Sequence, residues 1–120
     1  MENFEKINVD DVFVIGVNLT RSTLIEAKEF RKMVEEEINS GHTNLVIDLS
    51  KCDYIDSTFF GVVVLALQKM IVLGGKLKVV EPVNPKEDIF TTPNTLGLFD
   101  LYKTKKDAIK SFEEDIQPES

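Results

Sequence analysis

The chain has 120 residues, 42% of them hydrophobic, so one domain with a self-sufficient core is the expectation. Its 14 basic and 21 acidic residues leave a net charge of −7, which disfavours nucleic-acid backbones and anionic lipid as partners. Cys52 is the single cysteine, so no internal disulfide forms; pairing between chains or a reactive thiol are the minor alternatives.

The start, Met1 to Lys6, lacks a basic segment followed by an apolar run and reads as no signal peptide. Residues 3–9 and 12–18 run apolar or alternate around Asp10-Asp11, which predicts a hairpin. Residues 24–40 switch to helical spacing, with Leu24, Ala27, Phe30, Met33, Val34 and Ile38 on one stripe and Ser40-Gly41 as the stop. Leu45-Val46-Ile47 has the β-rich, unbroken apolar character of a central strand. A loop over 50–56 leads to a second helix from Ser57 to Gly74-Gly75. Its greasiest stretch, Phe59 to Leu73, is shorter than the roughly 20 apolar residues of a membrane span. Lys76 to Val80 reads as a strand, Pro82 and Pro85 bracket a loop, and residues 86–99 hold at most one short helix, broken by Thr91-Thr92-Pro93-Asn94. A short strand near 101–103, a helix near 106–114 and a fraying tail over 115–120 complete the order. Strands alternating with helices predict an α/β domain spanning 1–120: an open mixed sheet of about four to five strands flanked by about four helices.

Asp48-Leu49-Ser50 through Asp56-Ser57-Thr58 carries the functional information. Asp56, Ser57 and Thr58 are all able to cap a helix, and capping alone would account for them. A helix start also carries partial positive charge and unpaired N–H donors, so it tolerates a phosphate. A phosphoserine there would add roughly −1.5 to −2 charges to an acidic domain. Along the second helix, Gln68 and Lys69 mark the wet side, and Phe60, Val63, Leu67 and Met70 fall opposite. Thr58, Gly61, Leu65 and Val72 share the wet side, with Val62 at its edge, so part of the outward face is small or apolar; such patches often mark partner sites, unless another helix covers them.

The element order and the Asp48-Leu49-Ser50…Ile55-Asp56-Ser57-Thr58 motif resemble the STAS domain (sulfate transporter and anti-sigma factor antagonist), over nearly the whole chain and most closely its free-standing bacterial members. The resemblance implies an anti-sigma factor antagonist, expected to be a monomer, and the single cysteine fits a reducing cytoplasm. Ser57 is then the phosphoacceptor, with Thr58 as second choice, and Asp56 and Thr58 flank the switch. The unphosphorylated form would bind an anti-sigma factor with serine kinase activity and free a sigma factor; phosphorylation would end binding and a phosphatase would reset it. Phe59, Gly61, Val62 and Leu65 form the expected partner surface. The chain departs from the family where Phe59 replaces the usual glycine, placing a ring beside the serine, and where residues 18–23 lack the usual acidic residue. The alternative keeps the fold without phosphorylation, as an adaptor subunit of a signalling or transporter complex.

Catalysis has little support. A serine nucleophile needs a base within hydrogen-bond reach, and the one histidine, His42, precedes the central strand while Ser57 follows it. About five strand residues would separate them by roughly 17 Å. No His/Cys cluster has metal spacing, no cofactor motif is present, and Gly74-Gly75 lacks the lysine and hydroxyl of a phosphate loop.

Overall fold

The structure, a computed structural model, describes residues 2–86 and 89–115. In chain order the elements are β1 (Phe4–Val9), β2 (Val12–Val17), β3 (Arg21–Ser22), α1 (Leu24–Asn39), β4 (Asn44–Asp48), β5 (Tyr54–Ile55), α2 (Ser57–Val72), β6 (Lys76–Val80), β7 (Asp100–Tyr102) and α3 (Lys105–Asp115). The main sheet runs β1-β2-β4-β6-β7, with β1 antiparallel to β2 and the other pairs parallel, so it is the mixed sheet the sequence predicts. Three helices flank it among the described residues, where about four were expected, because residues 89–99 form successive turns instead of a helix. Glu87 and Asp88, and the tail from residue 116, lie outside the described residues.

The hairpin forms where Asp10-Asp11 predicts it: Val9 faces Val12 in register, and Asp10 takes a positive φ of 54°, which aspartate tolerates better than a branched residue. The central strand β4 is covered on both faces. Side chains alternate across a strand, so Phe13, Ile15, Leu45, Ile47, Leu77 and Val79 face α1 and α2, while Val12, Val14, Val46 and Val80 face α3. The register lines them into rungs, Phe13–Leu45–Leu77 and Ile15–Ile47–Val79. Lys78 sits on the α3 side, almost fully buried; its ammonium donates to Ser111 Oγ at 2.8 Å and lies 4.4 Å from the Phe112 ring centroid.

Both long helices stop as the sequence signals, with Gly41 (φ 94°) beyond α1 and Gly74 (φ 77°) beyond α2. Gly75 answers a different need: a Cβ there would lie 2.9 Å from the Thr43 carbonyl oxygen, as the chain turns into β6 against the start of β4. Among the described residues no helix is long and apolar enough to cross a membrane.

Candidate functional site

The loop after β4 is more ordered than a plain connection. Tyr54 and Ile55 form β5, which pairs in parallel with β3, Arg21 opposite Tyr54 and Ser22 opposite Ile55. The Arg21 guanidinium lies 4.5 Å from the Tyr54 ring centroid. Beneath this small ladder Ser22 Oγ and Cys52 Sγ are 3.3 Å apart, both buried. Burial raises the Cys52 thiol from an ordinary 9.0 to about 11. The ladder brings the starts of α1 and α2 side by side, and the Asp56 N–H donates to the Ser22 carbonyl at 2.9 Å.

Asp56 is the N-cap of α2: its Oδ1 accepts from the Phe59 N–H at 2.8 Å. Its Oδ2 accepts from the Leu24 N–H, also at 2.8 Å, at the first position of α1. One carboxylate thus serves the positive ends of two helices. The α1 start has its own capping box, in which Ile25 N–H donates to Thr23 Oγ1 and the Thr23 N–H to Glu26 Oε1.

Ser57 and Thr58 are exposed in the first turn of α2, as expected, and Asp56 is half-buried beside them. Gly61 is exposed one turn on, and Leu65 is half-buried. Two members of the expected partner surface point inward. Phe59 is 0% exposed, its ring stacked on Phe30 at 4.4 Å and 4°. The Phe59 ring therefore does not stand beside Ser57. Val62 is 8% exposed, the same as Phe60, so it is core and not edge. Both corrections have one cause. α1 packs along one flank of α2, and residues 90 and 99 cover the other flank through Phe90 and Phe99 against Phe60, so the buried arc is wider than half the helix.

Leu24 is the opposite correction. Helical spacing puts it on the buried stripe, yet it is 66% exposed, and Ile25 beside it is 80% exposed. They occupy the first turn of α1, beyond the reach of the core that buries Ala27, Phe30, Val34 and Ile38. Helical spacing starts the helix at residue 24, where α1 begins; the Thr23-x-x-Glu26 capping box is the added signal that Leu24 and Ile25 lie in its first turn, at the end of the helix and not on its buried length. His42 lies away from these residues at the far end of β4; its Nε2 is 3.3 Å from Glu37 Oε2 and its ring stacks on Phe13 at 4.3 Å. Among the described residues no group of His, Cys, Asp and Glu side chains could hold a metal ion.

The STAS domain profile matches residues 4–108. A Thermotoga maritima protein named for a proposed role as an anti-sigma factor antagonist is 29% identical over 103 residues, covering 85% of this chain and 90% of that one. A crystal structure of an anti-sigma factor antagonist candidate from Thermotoga maritima superposes with a TM-score of 0.82 at 28% identity, over 92% of this chain and 94% of that one. The Bacillus cell fate determinant SpoIIAA, in its phosphorylated form, shares the fold at a TM-score of 0.72 and 18% identity, over 91% of this chain and 98% of that one.

Proposed function

The chain belongs to the STAS domain family, and on that premise we propose that it is an anti-sigma factor antagonist switched at Ser57. The unphosphorylated form docks on an anti-sigma factor that is also a serine kinase, and so frees a sigma factor in the cytoplasm. In the kinase step the Ser57 Oγ–phosphorus bond forms as the bond from the γ-phosphorus to ADP breaks, and the hydroxyl proton leaves. The complex then parts, and a phosphatase hydrolyses the ester. The chain itself supplies an accepting hydroxyl and a docking surface, and acts as a monomer.

The observation that carries this proposal is the position of Ser57: exposed, at the first position of α2, directly after its capping aspartate. Thr58, Gly61 and Leu65 extend the docking surface along α2, and the exposed pair Leu24 and Ile25 extends it across α1. A phosphate closed into such an interface beside Asp56 meets a like charge. Leaving a charge uncompensated and buried costs several kcal/mol. At about 1.4 kcal/mol per factor of ten, a penalty of about 4 kcal/mol weakens binding roughly a thousandfold. The helix N-terminus returns only about 0.3–1 kcal/mol at an exposed position. The adaptor alternative drew its support from a ring beside the serine, and Phe59 lies inside the core.

The test is a pull-down from host lysate with wild type, Ser57→Ala, Ser57→Asp and Thr58→Ala, with and without ATP. Ser57→Ala should hold a kinase partner whatever the ATP, Ser57→Asp should hold little, and Thr58→Ala should behave as wild type. If ATP never releases a partner from wild type, the passive adaptor replaces the switch.

A further inference from the structure

Building on Ser57 as the phosphoacceptor, we propose that Asp56 is the positioning residue of the switch: its second carboxylate oxygen holds the exposed Leu24–Ile25 turn against the Ser57 surface, and a phosphate on Ser57 acts by breaking that hold.

The carboxylate is fully committed between two helices, Oδ1 to the Phe59 N–H and Oδ2 to the Leu24 N–H, each at 2.8 Å. The α1 cap does not depend on it, because Thr23 and Glu26 close their own box. Among the described residues, the Asp56–Leu24 bond is the side-chain hydrogen bond that joins the two first turns; below it the tie continues as backbone, from Asp56 N–H to the Ser22 carbonyl and into the β3–β5 pair. Releasing Oδ2 would therefore unhook Leu24 from α2 and let this turn shift relative to Ser57, while the Thr23–Glu26 box, the ladder, the buried Ser22–Cys52 contact and the core stay in place.

A phosphate is suited to that release. It places roughly −1.5 to −2 charges on the residue next to the Asp56 carboxylate, and its oxygens compete for the same first-turn donors of α2. Repulsion between the two anions pushes the Asp56 side chain from its bridging position, and the cap of α2 passes to the phosphate. Leu24 and Ile25, at 66% and 80% exposure, are the large apolar side chains that α1 presents at this end. Moving them reshapes the surface a partner reads, in addition to the charge placed on it.

The test installs phosphoserine at position 57 during synthesis, so it needs no kinase and no partner. Amide exchange and amide proton shifts are read at Leu24 and Ile25, with Val46 and Ile47 of the central strand as references. Phosphoserine should speed Leu24 exchange about ten-fold and move its proton upfield, leaving Val46 and Ile47 unchanged. Asp56→Asn keeps an oxygen for the Phe59 N–H but turns an amide donor toward Leu24; it should speed Leu24 exchange as much, and phosphoserine should then add nothing. If Asp56→Asn loses protection at Val46 and Ile47, Asp56→Ser replaces it, because a serine can cap α2 yet is too short to reach Leu24. Unchanged Leu24 protection with phosphoserine overturns the proposal, as does an equal phosphoserine effect in the Asp56 variant. The antagonist proposal stands or falls separately, on the pull-down.

Discussion

Phe59 and Phe30 stack face to face, ring centroids 4.4 Å apart and 4° from parallel, with neither ring exposed. Phe4 continues the stack on the far side of Phe30 at 5.4 Å, so the ring that follows Thr58 ties α2 to α1 and to the edge strand β1. Phe59, where the resemblance leads one to expect glycine, is a core side chain, and Ser57 two residues earlier is exposed.

Phe59→Ala should therefore act on stability. Truncating a buried phenylalanine typically costs about 3–5 kcal/mol, the lost transfer free energy plus the cavity left behind. Urea denaturation should show this loss with an unchanged m value. A melt within about 0.5 kcal/mol of wild type, the range of ordinary surface substitutions, would place the ring outside the core.

Gly61 separates folding from docking. It is exposed in mid-helix, and a Cβ there would meet nothing within 4 Å. Gly61→Ala should raise stability by about 0.5–1 kcal/mol, because alanine loses less backbone freedom in a helix. Gly61→Arg should melt at or above wild type, for the same reason, yet reduce recovery of the partner, since a long charged side chain would stand one turn from Ser57. Normal capture by Gly61→Arg would remove this face of α2 from the docking surface. Leu65→Lys is the companion: half-buried Leu65 lines a groove with Ile38, Gln68 and Val72, and the change should weaken capture with little effect on melting.

Much of this was legible in the sequence. Asp10-Asp11 announced the hairpin, Leu45-Val46-Ile47 the doubly covered strand, and Asp56-Ser57-Thr58 the start of α2. What escaped depended on contacts between residues distant in the chain. β3 and β5 are two residues each and carry no periodicity; they exist because Arg21 and Ser22 meet Tyr54 and Ile55 across more than thirty positions. The Asp56–Leu24 bond spans 32 positions and leaves no local trace. A single helical wheel divides α2 into two halves, whereas α1 on one flank and Phe90 and Phe99 on the other bury Phe59, Phe60 and Val62 together. The burial of Lys78 also depends on a distant element, α3, through Ser111 and Phe112.

Gly75→Ala should destabilise although its backbone angle is ordinary. The added methyl would lie 2.8 Å from Met70 Cε and 2.9 Å from the Thr43 carbonyl oxygen. The methionine end can swing aside, but the carbonyl belongs to the backbone beside β4. Overpacking of this kind typically costs about 1–3 kcal/mol. Gly74→Ala fails for a different reason, its φ of 77°, with open space around it. Thermal melts of the two variants should both fall, and if the buried methionine contributes to the clash, Met70→Ala and Gly75→Ala together should cost less than the sum of their separate losses.

Cys52 gives a pH dependence with a fixed sign. Burial holds the folded thiol near 11 against an ordinary 9.0. Below pH 9 both states keep the proton and the group contributes no slope. Between about 9 and 11 the unfolded chain releases its proton while the folded chain retains it, so the unfolded state binds fewer protons and stability falls as pH rises. The full difference of two units corresponds to about 2–3 kcal/mol, lost by pH 11. Cys52→Ala should flatten this part of the curve, so wild type should lose more stability than the variant between pH 9 and 11 in paired urea titrations. The same burial should keep the thiol slow toward iodoacetamide at pH 8 in the folded chain and make it reactive once urea unfolds it. Fast labelling of the folded protein, or parallel curves for wild type and Cys52→Ala, would show the thiol to be accessible and its contact with Ser22 to be open to solvent.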